Sequence, residues 1–318
     1  MIARLRTGRR RTLTVGMLRE AGADALTMLR NWRPPEHPPP EEAPRRGRRR
    51  RAAEPTWGRS DTAATIRRNL QRSALFPLLE VLGRPEVVGL HHVHGVRPPI
   101  IFAPNHASHA DAPLVLKALP AHIRERTVVP AAADYFFDRT WLSVFVTLGL
   151  NGVPFDRQHD IADSVRRCER FLRHGHSIVL FPEGTRSTTG RLRGFKAGVA
   201  HLGVQTGAPV IPVYLQGTHA LLARGKALPR PSAIAVHFGT PLVAGRDESA
   251  RSFNQRLEAA VIDLVTQLQG HAHRDAEPRR GGWREAWTAS APHDARQPAR
   301  STSEAASWRE SWRSTTPR

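Results

Sequence analysis

Ser177-Ile178-Val179-Leu180-Phe181-Pro182-Glu183-Gly184-Thr185-Arg186-Ser187 is the stretch that decides the fold class. Its apolar run, Ser177 to Phe181, reads as a buried strand cut off by Pro182 and Gly184. Gly184 allows a tight turn at the strand end, which exposes main-chain amides and the Arg186 guanidinium. A helix-period segment precedes it at 161 to 173, with Ile161, Val165, Cys168, Phe171 and Leu172 on one side. Another begins after it, from Gly198 to Val204. A strand set between helices is the repeating unit of an α/β layer.

The same alternation extends in both directions. Ile100 to Ala103 is a short strand stopping at Pro104, Thr127 to Ala132 is another, Val210 to Leu215 a third, and Ala233 to Phe238 alternates like a fourth. Residues 62–83 read as an amphipathic helix with Ile66, Leu70, Leu75, Leu78 and Leu79 on the apolar side. Arg67, Arg68 and Arg72 fall opposite. Phe253, Leu257, Val261 and Leu264 mark a closing helix. The expectation is an α/β fold: one layered domain whose mixed, mostly parallel central sheet is flanked by helices. Ligands of such sheets bind beyond the carboxyl ends of the strands.

Composition divides the 318 residues into three zones. Residues 1–60 are rich in Arg and Pro, including the run Arg48 to Arg51, and are expected to be largely disordered apart from a short helix between Leu13 and Met28. Residues 61–269 hold nearly all the apolar periodicity, with a motif-bearing core at 85–245. Residues 270–318 lack a period and read as a disordered tail, because little apolar surface offsets the entropy of ordering them. There are 48 basic against 28 acidic residues, formally +20, and only three of the basic residues are lysines (Lys117, Lys196, Lys226). That balance implies acidic partners such as an anionic membrane surface, or a compositional bias of the source. The single cysteine, Cys168, excludes an intrachain disulfide and reads as a core thiol. No secretory signal pattern is visible, and no run of about 18 to 20 apolar residues marks a spanning helix. The longest apolar segment, Trp141 to Leu150, suits a buried or interfacial element.

Four blocks carry chemistry, each at the end of an apolar run. In Asn105-His106-Ala107-Ser108-His109-Ala110-Asp111, His106 is a candidate general base and Asp111 the carboxylate that orients its ring. The two can meet if the block turns from strand into the first turns of a helix. Ser108 suits a cap better than a nucleophile, and His109 reads as wall. The spacing alone is a weak signal in a chain with 16 histidines. Without a Ser or Cys nucleophile, direct attack by an alcohol is favoured over an acyl-enzyme. In the second block, Gly152 to Arg157, and the third, Phe181 to Ser187, Arg157 and Arg186 can grip a phosphomonoester by paired charge-assisted hydrogen bonds. Glu183 would orient an arginine or the hydroxyl of the acceptor. Lys196 would assist phosphate or cofactor charge, or simply begin a solvated helix. Val210 to Val213 suits the wall of an acyl channel, with Pro212 hinting at an edge or bulge.

In order and spacing these blocks resemble the PlsC-like glycerolipid acyltransferases, the 1-acyl-sn-glycerol-3-phosphate acyltransferase family, over roughly residues 85–245. The resemblance implies a His106/Asp111 catalytic dyad and acceptor binding by Arg157, Glu183, Gly184, Thr185 and Arg186. It implies an acyl group taken from acyl-CoA or acyl-carrier protein and placed on lysophosphatidic acid to give phosphatidic acid, with no metal or bound cofactor. Residues 62–83 would correspond to a membrane-docking region, for peripheral attachment to anionic phospholipid at the cytoplasmic face of the cell membrane. A different lysolipid or alcohol acceptor is the alternative within the family.

Two other classes compete. A metal-dependent hydrolase can be drawn from His91, His92, His94, His106, His109 and Asp111, but the spacing lacks a dense metal-ligand pattern. A basic nucleic-acid-binding protein can be drawn from the arginine runs. No recognition pattern accompanies them, so no specific nucleic acid is expected. Trp283, Trp287, Trp308 and Trp312, among arginines, can touch a membrane interface or belong to the tail.

Overall fold

The computed structural model describes residues 56–137, 140–156, 161–223, 225–226 and 228–274. The expected 13–28 helix, the Arg48 to Arg51 run, Arg157 and the four tail tryptophans lie outside them. Seven strands form one sheet: β1 (Glu86–Val88), β2 (Ile101–Pro104), β3 (Thr127–Ala132), β4 (Gly152–Phe155), β5 (Ser177–Val179), β6 (Val210–Gln216) and β7 (Ala235–Phe238). Their order is β1-β7-β6-β2-β5-β3-β4. Every pairing is parallel except β6 with β7, so the sheet is mixed and mostly parallel.

Helices α1 (Asp61–Leu70), α2 (Phe76–Gly83), α3 (Leu90–His94), α4 (Asp111–Ala118), α5 (Ala121–Arg124), α6 (Ala133–Phe136), α7 (Thr140–Leu150), α8 (Ile161–Arg173), α9 (Gly198–Thr206), α10 (Thr218–Leu222) and α11 (Ala250–Arg274) surround it. The period-two rule of strands sorts β2 onto two cores. Ile100 and Phe102 pack with Leu114 and Val115 of α4, Ile211 and Val213 of β6, and Val236 and Phe238 of β7. Ile101 and Ala103 face the other way, onto Cys168 and Leu172 of α8, Leu202 of α9 and Phe253, Leu257 and Val261 of α11. A central strand buried on both faces therefore reads as a continuous apolar run, not an alternating one. Cys168 is buried, and desolvation pushes its thiol up to about 12, which leaves it an inert core residue.

Several elements depart from the expected ones. Thr56–Arg59 forms a short 3-10 turn, and α11 runs past 269 to Arg274. β1 has no counterpart in the sequence reading, whereas β4 falls in the Gly152 to Arg157 block, whose arginine was expected to follow a strand. β4 is an edge strand, where Pro154 is tolerated. It lies so close to α7 that a Cβ on Gly152 would meet Val146 Cγ1 at 2.2 Å. Pro212 is in an interior strand, not at an edge. It stands where the β6–β7 ladder stops, its carbonyl accepting from the Gly239 amide at 2.8 Å.

The 62–83 segment is helical, but α1 and α2 are joined by a π-helical turn, Gln71–Leu75. The wider turn shifts the phase of the buried face. Leu79 is buried, whereas Leu78, expected inside, is 54% exposed. Arg67, expected outside, is buried on the same stripe as Ala63 and Gln71. Its Nη2 donates to the carbonyls of Gly58 at 2.6 Å and Thr147 at 3.1 Å, and Gln71 Nε2 donates to that of Gly149 at 2.8 Å. Thr147 and Gly149 lie in the last turn of α7, whose carbonyls have no partner within their own helix. The arginine and the amide thus cap α7 across the helix interface, at the end where a cation is favoured.

Candidate active site

The site lies beyond the carboxyl ends of β2, β3 and β5. After Pro104, Asn105 fixes the exit from β2. Its Oδ1 accepts from the Leu215 amide at 2.7 Å, and its Nδ2 donates to the Leu215 carbonyl at 3.2 Å, locking the chain to β6. The next six residues curl around one carboxylate. Asp111 Oδ2 accepts from the amides of Ala107 at 2.7 Å and Ser108 at 2.8 Å, and lies 2.8 Å from His106 Nδ1. Asp111 is wholly buried at the first turn of α4, where the helix terminus also favours its charge. A carboxylate holding two amides is an acceptor, so the short contact puts the imidazole proton on Nδ1 and leaves Nε2 as the basic nitrogen. Ser108 is also wholly buried, and its Oγ accepts from the Ala110 amide at 3.0 Å. It is a turn-forming hydroxyl, in keeping with a capping rather than a nucleophilic role.

The third block wraps the same histidine. Phe181 stacks on the His106 ring, with centroids 3.9 Å apart and planes at 20°. Glu183 Oε1 accepts from the His106 amide at 2.8 Å, and the Ser187 amide donates to the His106 carbonyl at 2.7 Å. Glu183 therefore holds the main chain of the histidine, where an arginine or an acceptor hydroxyl had been its expected partner. Burial pushes its carboxyl up to about 7, against the pull of the His106 and Arg193 amides. Gly184 takes a left-handed φ of +72°, and the Lys196 side chain lies over it, at 3.1 Å from where a Cβ would stand. The Lys196 amide donates to the Pro182 carbonyl at 2.8 Å. Thr185 Oγ1 accepts from Arg193 Nη1 at 2.9 Å.

His106, Asp111, Glu183, Gly184, Thr185, Arg186 and Lys196 thus belong to one edge of the sheet. Arg157 lies outside the described residues. The strand before it ends at that edge, where Phe155 pairs with Ala132. Sequence reasoning missed Tyr135, which α6 delivers from the end of β3. Its ring stacks on His109 at 5.5 Å, and the Arg186 guanidinium sits 5.9 Å from its centroid. The signal was available: Tyr135 follows an apolar strand just as His106 and Glu183 do.

A family model described as Acyltransferase matches residues 84–216, the span that carries these strand ends. Over that span, about two fifths of its length, the chain is similar to the acyltransferases. A 1-acyl-sn-glycerol-3-phosphate acyltransferase from Cocos nucifera is 29% identical over 199 residues, which is 60% of this chain and 61% of that protein. One from Limnanthes douglasii is 34% identical over 145 residues, 45% of this chain and 50% of the relative. The chain therefore spans half to three fifths of the length of these curated relatives. The crystal structure of the 1-acyl-sn-glycerophosphate acyltransferase PlsC from Thermotoga maritima has the same fold. It aligns with a TM-score of 0.52 at 24% identity, covering 65% of this chain and 79% of that one.

Proposed function

We propose that this acyltransferase places a fatty acyl group on the free hydroxyl of 1-acyl-sn-glycerol-3-phosphate, giving phosphatidic acid. The observation that carries the reading is His106, held between Asp111 and the Phe181–Ser187 segment with Nε2 as its basic nitrogen. Nε2 takes the proton of the acceptor hydroxyl as its oxygen attacks the thioester carbonyl of acyl-CoA or acyl-carrier protein. The new C–O bond forms, the C–S bond breaks, and the proton passes from the imidazolium to the departing thiolate. Asp111 stabilises the imidazolium in between. No acyl-enzyme is required, since the acceptor itself is the nucleophile. Arg186, Lys196 and Arg157 supply cations for the acceptor phosphate. Gly184 and Thr185 shape the turn that presents Arg186. The curated relatives are named 1-acyl-sn-glycerol-3-phosphate acyltransferases, which supports the choice of acceptor.

The acceptor sits in a membrane, and the chain meets it from the surface. Among the described residues no helix is long and apolar enough to cross a bilayer. α2 instead exposes Leu78 (54%) and Val81 (78%), with Arg72 exposed in the turn before it. That combination suits shallow insertion beside anionic headgroups at the cytoplasmic face.

The test is acyl transfer by the full chain with anionic vesicles, offering lysophosphatidic acid, lysophosphatidylcholine, lysophosphatidylglycerol and glycerol 3-phosphate. Both acyl-CoA and acyl-carrier protein serve as donors. Preference for lysophosphatidic acid supports the reading. Preference for a different lysolipid keeps the reaction and overturns the acceptor.

A further inference from the structure

Among the described residues, the two large apolar side chains left furthest in water are Val81 of α2, 78% exposed, and Leu228, 80% exposed beyond α10. They belong to adjoining elements. The Ser232 amide donates to the Leu82 carbonyl at 3.0 Å, and Gly83 packs so close on Ile234 that a Cβ there would strike it. The chain that carries Leu228 therefore runs beside the end of α2. It is tied down at its base: the Lys226 amide donates to the Ala223 carbonyl at 3.1 Å, and the Arg230 amide to the Leu221 carbonyl at 2.7 Å. Pro229 and Pro231 fix φ on either side of Arg230. Charge points to what covers the leucine. No Asp or Glu occurs between Glu183 and Asp247, a stretch with eight Lys and Arg residues. Basic side chains elsewhere meet carboxylates, as Lys117 does Glu80 and Arg256 does Glu248. Lys226 and Arg230 are exposed on either side of Leu228, and among the described residues no carboxylate pairs with either. Cations bracketing an exposed leucine match a bilayer surface, where anionic headgroups lie just outside the acyl chains. The phosphates of a soluble donor would use the cations and leave the leucine in water.

We infer that Leu228, with Lys226 and Arg230, is a second membrane contact: the leucine inserts at the acyl boundary of an anionic bilayer while the two cations meet its headgroups. This rests on the reading that the chain works from a membrane surface. It extends the contact from α2 toward the site. Ala223 bridges to Ser108 in the His106 loop, and His219 Nε2 donates to the Thr188 carbonyl at 3.2 Å, two residues past Arg186. A lysolipid leaving a bilayer seated on Leu228 is thus delivered to the elements that enclose His106.

The experiment labels the full chain at one position. Cys168 is buried and inert, so a maleimide dye with polarity-sensitive emission is confined to the introduced thiol of Leu228→Cys. Ile262→Cys, at an exposed position of α11, is the control. On vesicles of equal parts phosphatidylcholine and phosphatidylglycerol, the label at 228 is expected to brighten by about threefold and to be quenched by spin-labelled acyl chains. The label at 262 is expected to emit as it does in buffer. Leu228→Asp is expected to weaken vesicle binding by about tenfold. Lys226→Glu with Arg230→Glu is expected to weaken it by about tenfold on the anionic vesicles and little on pure phosphatidylcholine. Both variants are expected to keep the wild-type melting temperature and its transfer to a short-chain acceptor presented without vesicles. A label at 228 that stays dark on vesicles to which the chain is bound overturns the inference. The α2 contact then stands by itself if Leu78→Asp with Val81→Asp lowers binding. A wild type that binds no vesicles overturns both. Brightening on acyl-carrier protein and not on vesicles overturns the bilayer as partner and gives the surface to an acidic protein.

Discussion

His106 is gripped through its ring, its amide and its carbonyl, by Asp111, Phe181, Glu183 and Ser187. Such a histidine has little freedom to leave the pose in which Nε2 faces an acceptor. The cost falls on Glu183, a carboxyl buried beside Asp111 and pushed up to about 7. Because its folded pKa lies above the unfolded value, the folded state binds the extra proton. Stability is therefore expected to fall as pH rises from about 4.5 through about 7, and this contribution to level off above that. Glu183→Gln keeps an oxygen to accept from the His106 amide and removes the titration. Melting temperatures across that window should show a flatter profile for the variant than for the wild type. An identical slope would mean that another group titrates. The His106–Asp111 pair was legible in the sequence because its two members sit five positions apart on one turn. The grip of Glu183 was not, because it bridges 77 positions and ends on a main-chain amide that no residue type announces.

Between elements, the seam of α1 with α7 shows polar side chains used as helix caps at a distance. Arg67 answers carbonyls, not a carboxylate, and burial lowers its pKa to about 10, still well above neutrality. Arg67→Leu removes a buried cation but strands the Gly58 and Thr147 carbonyls, each costing about 1 to 3 kcal/mol if left unpaired. The expected outcome is a melting temperature lower by several degrees, of the order of 4 to 8 °C for each 1 kcal/mol in a small domain and about half that in a larger one. A melting temperature unchanged in Arg67→Leu would show the seam to be indifferent. The apolar runs of β2, β3, β5 and β6 announced themselves because both their faces are covered. β1 did not: Glu86, Val87 and Val88 are all exposed at the edge of the sheet, so no burial pattern marks them. The side of α1 and α2 turned inward was misjudged for a different reason. A helical period was carried straight through a turn that is π-helical, which placed Leu78 inside; Arg67 precedes that turn and was placed outside because it is charged.

For the whole molecule, strand order is what assembles the site. β2 and β5 are neighbours in the sheet although 72 residues separate Pro104 from Ser177, and their adjoining ends bring His106 under Glu183. Apolar runs reveal that strands exist but not which ones pair, so the convergence of the blocks was an expectation until the order was known. The face that α2 leaves uncovered is the proposed membrane contact. Leu78→Asp with Val81→Asp is expected to lower flotation with anionic vesicles by about tenfold or more, since two apolar side chains lose their insertion energy and two negative charges are added. Retained flotation would move the docking surface elsewhere on the chain. One assay tests the proposed role of His106 directly. Transfer of a labelled acyl group to lysophosphatidic acid is measured for the wild type and for His106→Ala, with folding checked by circular dichroism. A general base on the acceptor hydroxyl predicts a loss of about 10² to 10⁴ in kcat for a folded variant. Transfer by His106→Ala within tenfold of the wild type would contradict the account.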